Sequence, residues 1–188
     1  MTTVLIIVAA AAVLVGVAVI ISYNRFQSQR VLIAESWKQI DVELQRRFDL
    51  IPNLVETVKG YAAHERSVFE AVTAARTNAV AHKGDAPDAR QEPESVLGRA
   101  LGGLFAVAES YPEVKASANF LDLQKQLSLT EDRIAAGRRF YNGNVRAYNT
   151  RIRTIPSNLV ASAFHFEPAV FFELADPAAA QAPSVLLA

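Results

Sequence analysis

The strongest constraint on this chain is an unbroken apolar run close to its N-terminus. From Val4 to Ile21 the sequence reads VLIIVAAAAVLVGVAVII, and no charged side chain occurs before Arg25. An α-helix rises about 1.5 Å per residue, so the run and its uncharged neighbours cover the roughly 30 Å hydrocarbon core of a bilayer. We therefore predict a transmembrane helix over Val4 to Ile21, within an anchor formed by residues 1–23.

A cleaved signal peptide is the competing interpretation of this run. A signal peptide needs basic residues ahead of the apolar segment and a small-x-small motif after it. No basic side chain precedes the run, and the run ends in three bulky aliphatic residues. We therefore predict an uncleaved, single-pass anchor. Because Arg25, Arg30 and Lys38 follow it, the positive-inside rule places the next domain in the cytoplasm.

The composition excludes several classes of site. The 188 residues include no cysteine, which excludes disulfides, iron–sulfur clusters and thiol nucleophiles. Nineteen basic side chains balance nineteen acidic ones, which argues against a nucleic-acid partner. His64-Glu65 begins like a zinc-protease motif, but Val68 stands where that motif needs its second histidine. We therefore expect no metal, no cofactor and no catalytic residue.

Residues 24–83 show helical periodicity with a single apolar stripe. Apolar side chains recur at steps of three and four from Trp37 to Val72. Pro52 removes one backbone N–H and crowds the carbonyl of Phe48, and the stripe keeps its phase across this position. We therefore expect a long first helix with a kink near Pro52, not a hairpin.

A loop and a shorter helix should come next. Glycine, two prolines and several charges between His82 and Pro93 predict a surface loop. A helix is then expected from about residue 94 to residue 110. Within it, Gly102-Gly103 either permits the close approach of another helix or weakens this one. Tyr111-Pro112 marks the following bend.

The clearest pattern lies in the last long helix. Apolar and small side chains advance by alternating threes and fours from Phe120 to Ile155, which is the 3.5-residue period of left-handed bundles. Asn119 is the expected N-cap, and Pro156 ends the pattern. A short final helix is expected over Ser157–Phe164.

These elements predict an all-α fold. The transmembrane helix is followed by an antiparallel bundle of three or four helices over residues 24–174. Residues 175–188 are rich in proline and alanine and are expected to form a flexible tail.

Arg46 and Arg47 form the first candidate docking site, beside the expected kink. Two adjacent guanidinium groups could bind the carboxylates of a partner. The alternative, which we favour, is pairing within the same helix, of Arg47 with Glu43 and of Arg46 with Asp49.

A second basic feature lies on the last long helix. Arg139, Arg146 and Arg153 fall one heptad apart, and no acidic residue occurs between Asp132 and Glu167. We favour pairing across helices within the bundle. The alternative is a stripe that meets anionic lipid headgroups or an acidic partner.

A polar seam repeats on the same helix. Tyr141-Asn142 and Tyr148-Asn149 are seven residues apart, and semi-buried asparagines at this spacing can fix helix register. A ligand-binding seam is the alternative. Four phenylalanines between positions 164 and 172 are expected to close the end of the bundle.

Several sequence blocks resemble the LemA family of bacterial membrane proteins. They are IDVELQRRFDLIPNLVETVKGYAAHE (Ile40–Glu65), NFLDLQKQL (Asn119–Leu127), TEDRIAAGRRFYNGNVRAYNT (Thr130–Thr150), IPSNLVASAFHF (Ile155–Phe166) and FFE (Phe171–Glu173). The resemblance implies a transmembrane helix, a helical bundle and no established enzymatic activity. It also links the chain loosely to magnetosome formation and to membrane proteases encoded nearby. Two positions depart from the family pattern: Ile155, where Phe is frequent, and His165, where Gly is usual.

Together these features favour a membrane-anchored, non-enzymatic scaffold or adaptor in the bacterial inner membrane. Its expected partners are the lipid bilayer, further copies of itself, and a membrane protein such as a protease. The alternative is a membrane-linked sensor or regulator that binds a small ligand or an anionic lipid through the bundle.

Overall fold

The structure is a computed structural model that describes residues 1–173, and every structural statement below concerns that range. It contains six helices: α1 (Thr2–Lys59), α2 (Arg66–Ala81), α3 (Pro87–Ser110), α4 (Pro112–Ala116), α5 (Ala118–Arg153) and α6 (Ser157–Ala163). No strand occurs in the described range, so the predicted all-α fold is confirmed. The tail predicted over residues 175–188 lies outside it.

The chain divides into two compact units. Unit 1 comprises Met1–Gln39 and Arg139–Val170, and unit 2 comprises Ile40–Arg138 and Phe171–Ala188. Both α1 and α5 contribute to each unit, and each unit is described by itself.

Unit 1 begins with the apolar run of α1. In α1 every residue from Thr2 to Ala18 is exposed, and the most apolar 18-residue window has no buried share. By length and composition α1 is the one helix of the described chain that could cross a membrane. The predicted candidate for a transmembrane helix is therefore present, as the first part of a much longer helix.

The second half of α5 packs antiparallel to α1 in unit 1. The rings of Phe26 and Tyr148 lie 6.0 Å apart edge to face, and those of Trp37 and Tyr141 lie 5.5 Å apart. Phe166 stacks on Phe26 at 4.7 Å, and both are buried. These aromatic side chains form a core that follows directly on the apolar run.

The end of α6 has a Schellman motif. Its geometry accounts for the glycine that is usual at position 165, where this chain has histidine. His165 has φ of 54°, in the left-handed region that favours glycine. The N–H of His165 donates to the carbonyl of Ser162 at 3.3 Å, and that of Phe166 donates to Ala161 at 2.9 Å. A glycine at position 165 would adopt this conformation without the steric cost that histidine bears.

Unit 2 is a four-helix bundle with an up-down-up-down arrangement. Its four segments are Ile40–Lys59 of α1, α2, α3 and the first half of α5. Hydrogen bonds set the register: Lys83, in the turn after α2, reaches Gln45 near the start of the α1 segment, and Asn119 of α5 reaches Thr57 near its end. The predicted antiparallel bundle is confirmed and has four helices.

The close helix approach occurs at a different glycine from the pair suspected from sequence. A Cβ atom on Gly137 of α5 would lie 3.0 Å from Cγ1 of Ile40 on α1. Gly102 and Gly103 have open space around them, so the first of the two alternatives stated for that pair, a close helix approach, is not observed.

Several element boundaries differ from the prediction. The helical region expected over residues 24–83 forms two helices. The first, α1, continues through Pro52 and ends at Lys59, and a turn separates it from α2. The loop expected between His82 and Pro93 is partly helical, since α3 begins at Pro87. Proline at the first position of a helix needs no N–H partner, which favours a start there.

The N-cap assignment of α5 was also wrong. Asn119 lies inside the first turn of α5, and the hydroxyl of Ser117 accepts the N–H of Phe120 at 3.4 Å. The predicted bend at Tyr111-Pro112 and a short helix starting at Ser157 are both present.

Candidate functional site

The most enclosed polar cluster of the protein lies in unit 2, among α1, α3 and α5. Both carboxylate oxygens of Glu94 are engaged: one accepts from Arg47 and the other accepts from Arg90 at 3.0 Å. The side chains of these three residues are at most 2% exposed. Two further carboxylates complete the cluster, Glu131 at 3.0 Å from Arg47 and Asp41 at 2.6 Å from Arg90.

The arrangement of these charges is suited to holding helices together. Two guanidinium groups and three carboxylates form ion pairs across three helices, and a buried charge of this kind is costly to leave without its partner. The cluster fixes the register of α1, α3 and α5.

The two adjacent arginines of α1 have different environments. Arg47 is buried and binds Glu94 and Glu131, so it is not available at the surface, and the expected pair with Glu43 does not form. Glu43 instead accepts from Arg133 of α5 at 3.5 Å. Arg46 is exposed, and its role as a docking residue stays a prediction.

The arginine stripe, defined as Arg139, Arg146 and Arg153, lies in unit 1 on the exposed side of α5. None of the three makes an ion pair or a side-chain hydrogen bond within residues 1–173. The cross-helix pairing that the sequence favoured is therefore not observed there. The stripe is available to an external anion or partner.

The polar seam holds a chain segment in unit 1. Tyr141 donates its hydroxyl to the carbonyl of Val170 at 2.8 Å. The amide of Asn149 both donates to and accepts from the backbone of Ala169, each at 2.8 Å. Asn142 is half-buried. Burial raises the pKa of the Tyr148 hydroxyl above its ordinary value. These contacts favour a role in register and packing for the seam.

A groove of about 760 Å³ lies in unit 1 between α1 and the junction of α5 with α6. One wall is formed by α1 from Val15 to Arg25, and the other by residues 147–160. Most of its lining is aliphatic, while Arg25 and Arg151 supply two positive charges. Its volume lies within the roughly 300–1,000 Å³ of small-molecule sites.

Comparison with known proteins decides the family. The model of the LemA family matches residues 36–186, which is most of the chain. The chain belongs to the LemA family. The match begins within α1, after the apolar run.

Among curated proteins, this LemA chain is similar to two magnetosome proteins and to a protein named LemA. Magnetosome protein MamQ 2 of Paramagnetospirillum magneticum is 29% identical over 175 residues, covering 80% of this chain and 64% of the relative. MamQ of Magnetospirillum gryphiswaldense is 27% identical with the same coverage. Protein LemA of Metamycoplasma hominis is 27% identical over 135 residues, covering 70% and 60%. The chain thus spans less than two thirds of these relatives.

Sequence reasoning missed the α3 members of the buried cluster. Arg90 was assigned to the surface loop, because that stretch contains glycine, two prolines and several charges, and Glu94 was assigned to the start of the next helix. A usable signal was their four-residue spacing, which places them on one face of a helix. In the described residues no group of three or more His, Asp or Glu side chains could hold a metal ion.

Proposed function

We propose that this LemA-family protein is a membrane-anchored, non-enzymatic scaffold that self-associates and docks membrane-associated partners. The observation that carries the proposal is the exposed arginine stripe on α5, whose three cations have no carboxylate partner in the described chain. A row of unpaired guanidinium groups is suited to the carboxylates of another protein.

Charge segregation supports self-association. Unit 1 contains seven basic residues and only two acidic ones, Glu35 and Glu167, which gives a net charge of +5. Unit 2 therefore has a net charge of −5, because the whole chain is neutral. The stripe of one copy can thus meet the acidic surface of another, where Asp85 and Asp88 are exposed.

The names of the relatives are compatible with this role. MamQ is named as a magnetosome protein, and a scaffold role is compatible with that name. A membrane protease is a second class of partner for the stripe. We place the anchor in the bacterial inner membrane as a single span. The basic part of unit 1 that follows the anchor, and the bundle of unit 2, then lie in the cytoplasm, in keeping with the positive-inside rule.

A crosslinking experiment on the full chain in liposomes tests the proposal. A photo-crosslinking amino acid in place of Gly143, which is exposed on α5 between Arg139 and Arg146, should give dimers and higher species. Changing all three stripe arginines to Gln should remove them, whereas the matched control Lys38→Gln/Lys115→Gln/Lys125→Gln should not. Since exposed charge pairs are screened by salt, the yield should fall as ionic strength rises. Strictly monomeric protein would refute the proposal.

A further inference from the structure

An apolar groove with an exposed corner lies beside the apolar run of α1. The α5–α6 corner, defined as residues 147–160, forms one wall of the groove whose other wall is α1. The α1 wall includes Val15, Val19 and Ile21, which belong to the apolar run. The corner therefore reaches along a part of α1 that faces lipid in an anchored protein.

The depth of this contact follows from helix geometry. At about 1.5 Å per residue, Val15 lies about 9 Å inside the end of the run at Ile21. Amphipathic segments that lie in the membrane interface bury their apolar face by about 5–10 Å. With α1 inserted in a bilayer, this depth corresponds to the boundary between headgroups and acyl chains.

The surface of the corner suits that boundary. Ile155 is 83% exposed and Leu159 is 68% exposed. Single exposed aliphatic residues are ordinary on water-soluble surfaces. Leu159, however, lines the groove together with the apolar run of α1, and Ile155 lies between two groove residues, Thr154 and Pro156. Apolar surface that continues a membrane-spanning segment is best covered by lipid.

The charges at the groove are of one sign. Arg25 and Arg151 line it, and neither forms an ion pair within residues 1–173. Arg153 follows at the end of α5 and is exposed. Unit 1 has a net positive charge, because its seven basic residues outnumber its two acidic ones, Glu35 and Glu167. Each basic residue near an anionic membrane surface adds attraction for acidic headgroups.

We propose that the groove binds an anionic phospholipid, with an acyl chain against Val15–Ile21 and the phosphate on Arg25 and Arg151. The α5–α6 corner is then a non-spanning membrane contact that fixes the long helices at the bilayer surface. This inference rests on the anchored position of α1 in the proposed function, but it does not require self-association.

Spin labels test the depth of the corner. The chain has no cysteine, so Leu159→Cys and Phe140→Cys each provide a single labelling site in the full protein in phosphatidylglycerol liposomes. Phe140 is exposed and lies next to Tyr141, which packs on Trp37, about 24 Å beyond the end of the apolar run. We expect the label at 159 to collide more with oxygen than with a water-soluble nickel complex, and the label at 140 to show the reverse. A water-accessible label at 159 would overturn the inference.

Native mass spectrometry of the detergent-solubilised full chain tests the lipid. Wild-type protein should retain phosphatidylglycerol in preference to phosphatidylcholine. Arg25→Gln/Arg151→Gln should reduce phosphatidylglycerol retention by about fivefold for each arginine removed, whereas Lys38→Gln/Lys125→Gln should not. Ala147→Phe, which fills the groove without altering charge, should reduce retention of both lipids. Equal retention by all four proteins would overturn the inference even if the protein self-associates.

Discussion

Asn149 of α5 and Ala169 exchange two hydrogen bonds, each 2.8 Å long, so that one side-chain amide satisfies both polar groups of a backbone unit. Asn149 lies seven residues after Asn142 on α5 and belongs to the polar seam defined by the repeat of Tyr-Asn. The contact holds the segment after α6 against α5 within unit 1.

Replacing Asn149 by Ala should therefore destabilise unit 1. The substitution leaves the N–H and carbonyl of Ala169 without partners, at a cost of about 1–3 kcal/mol. Urea unfolding of the full chain in mild detergent measures this loss. The control Asn53→Ala changes an exposed asparagine on α1 and should shift the unfolding free energy by less than about 0.5 kcal/mol. Equal effects of the two changes would contradict a role for the seam.

The buried cluster of unit 2 predicts a larger effect at Glu94. The change Glu94→Gln removes the negative charge that both Arg47 and Arg90 bind, and breaking a buried ion pair costs about 3–5 kcal/mol. The matched control is Glu92→Gln on the same helix. Glu92 is 75% exposed and pairs with exposed Arg99, so its loss should cost at most about 1 kcal/mol. The same unfolding assay distinguishes the two, and a mild effect at Glu94 would argue against the cluster as a register device.

Glycine at position 165 should stabilise the protein. The left-handed φ of His165 is costly for a residue with a Cβ atom, and we expect His165→Gly to add about 0.5–1 kcal/mol to the free energy of unfolding. The variant His165→Ala separates backbone strain from loss of the imidazole, because alanine retains the Cβ atom. If Ala and Gly have the same effect, the Schellman geometry is not the cause.

The proposed topology is open to a direct labelling experiment. Because the chain has no cysteine, Thr2→Cys and Lys115→Cys each introduce a unique thiol on opposite sides of the apolar run. An impermeant maleimide added to intact cells should label position 2, and should label position 115 only after permeabilisation. The reverse pattern would place the bundle outside the cytoplasm.

Local periodicity explains which parts of the fold the sequence predicts. The apolar run and the 3.5-residue pattern of α5 depend on neighbouring residues, and both helices are found where the patterns place them. The turn between Lys59 and Arg66 was missed, because the apolar side chains of α1 and α2 keep helical spacing across it. What separates the two helices is packing in the bundle, which a local pattern does not contain.

The candidate sites show the same difference between local patterns, which the sequence reveals, and contacts between distant residues, which it does not. The seven-residue repeat of Tyr141 and Tyr148 identified a seam, but the backbone partner at Ala169 comes from a segment without a motif. Burial of Arg47 depends on Glu94, which is 47 positions away, so spacing within α1 could not reveal it. The arginine stripe was visible from its heptad spacing, whereas its lack of carboxylate partners required the positions of the other helices.

Self-association in the membrane is the central claim, and single-molecule photobleaching measures it most directly. The full chain, labelled once at Lys115→Cys, is reconstituted into phosphatidylglycerol liposomes at decreasing protein-to-lipid ratios, and bleaching steps are counted for each liposome. The scaffold predicts multi-step traces that persist on dilution and become single-step in the Arg139→Gln/Arg146→Gln/Arg153→Gln variant. Single-step traces for the wild-type protein at every ratio, matching the random occupancy of a monomer, would contradict the account.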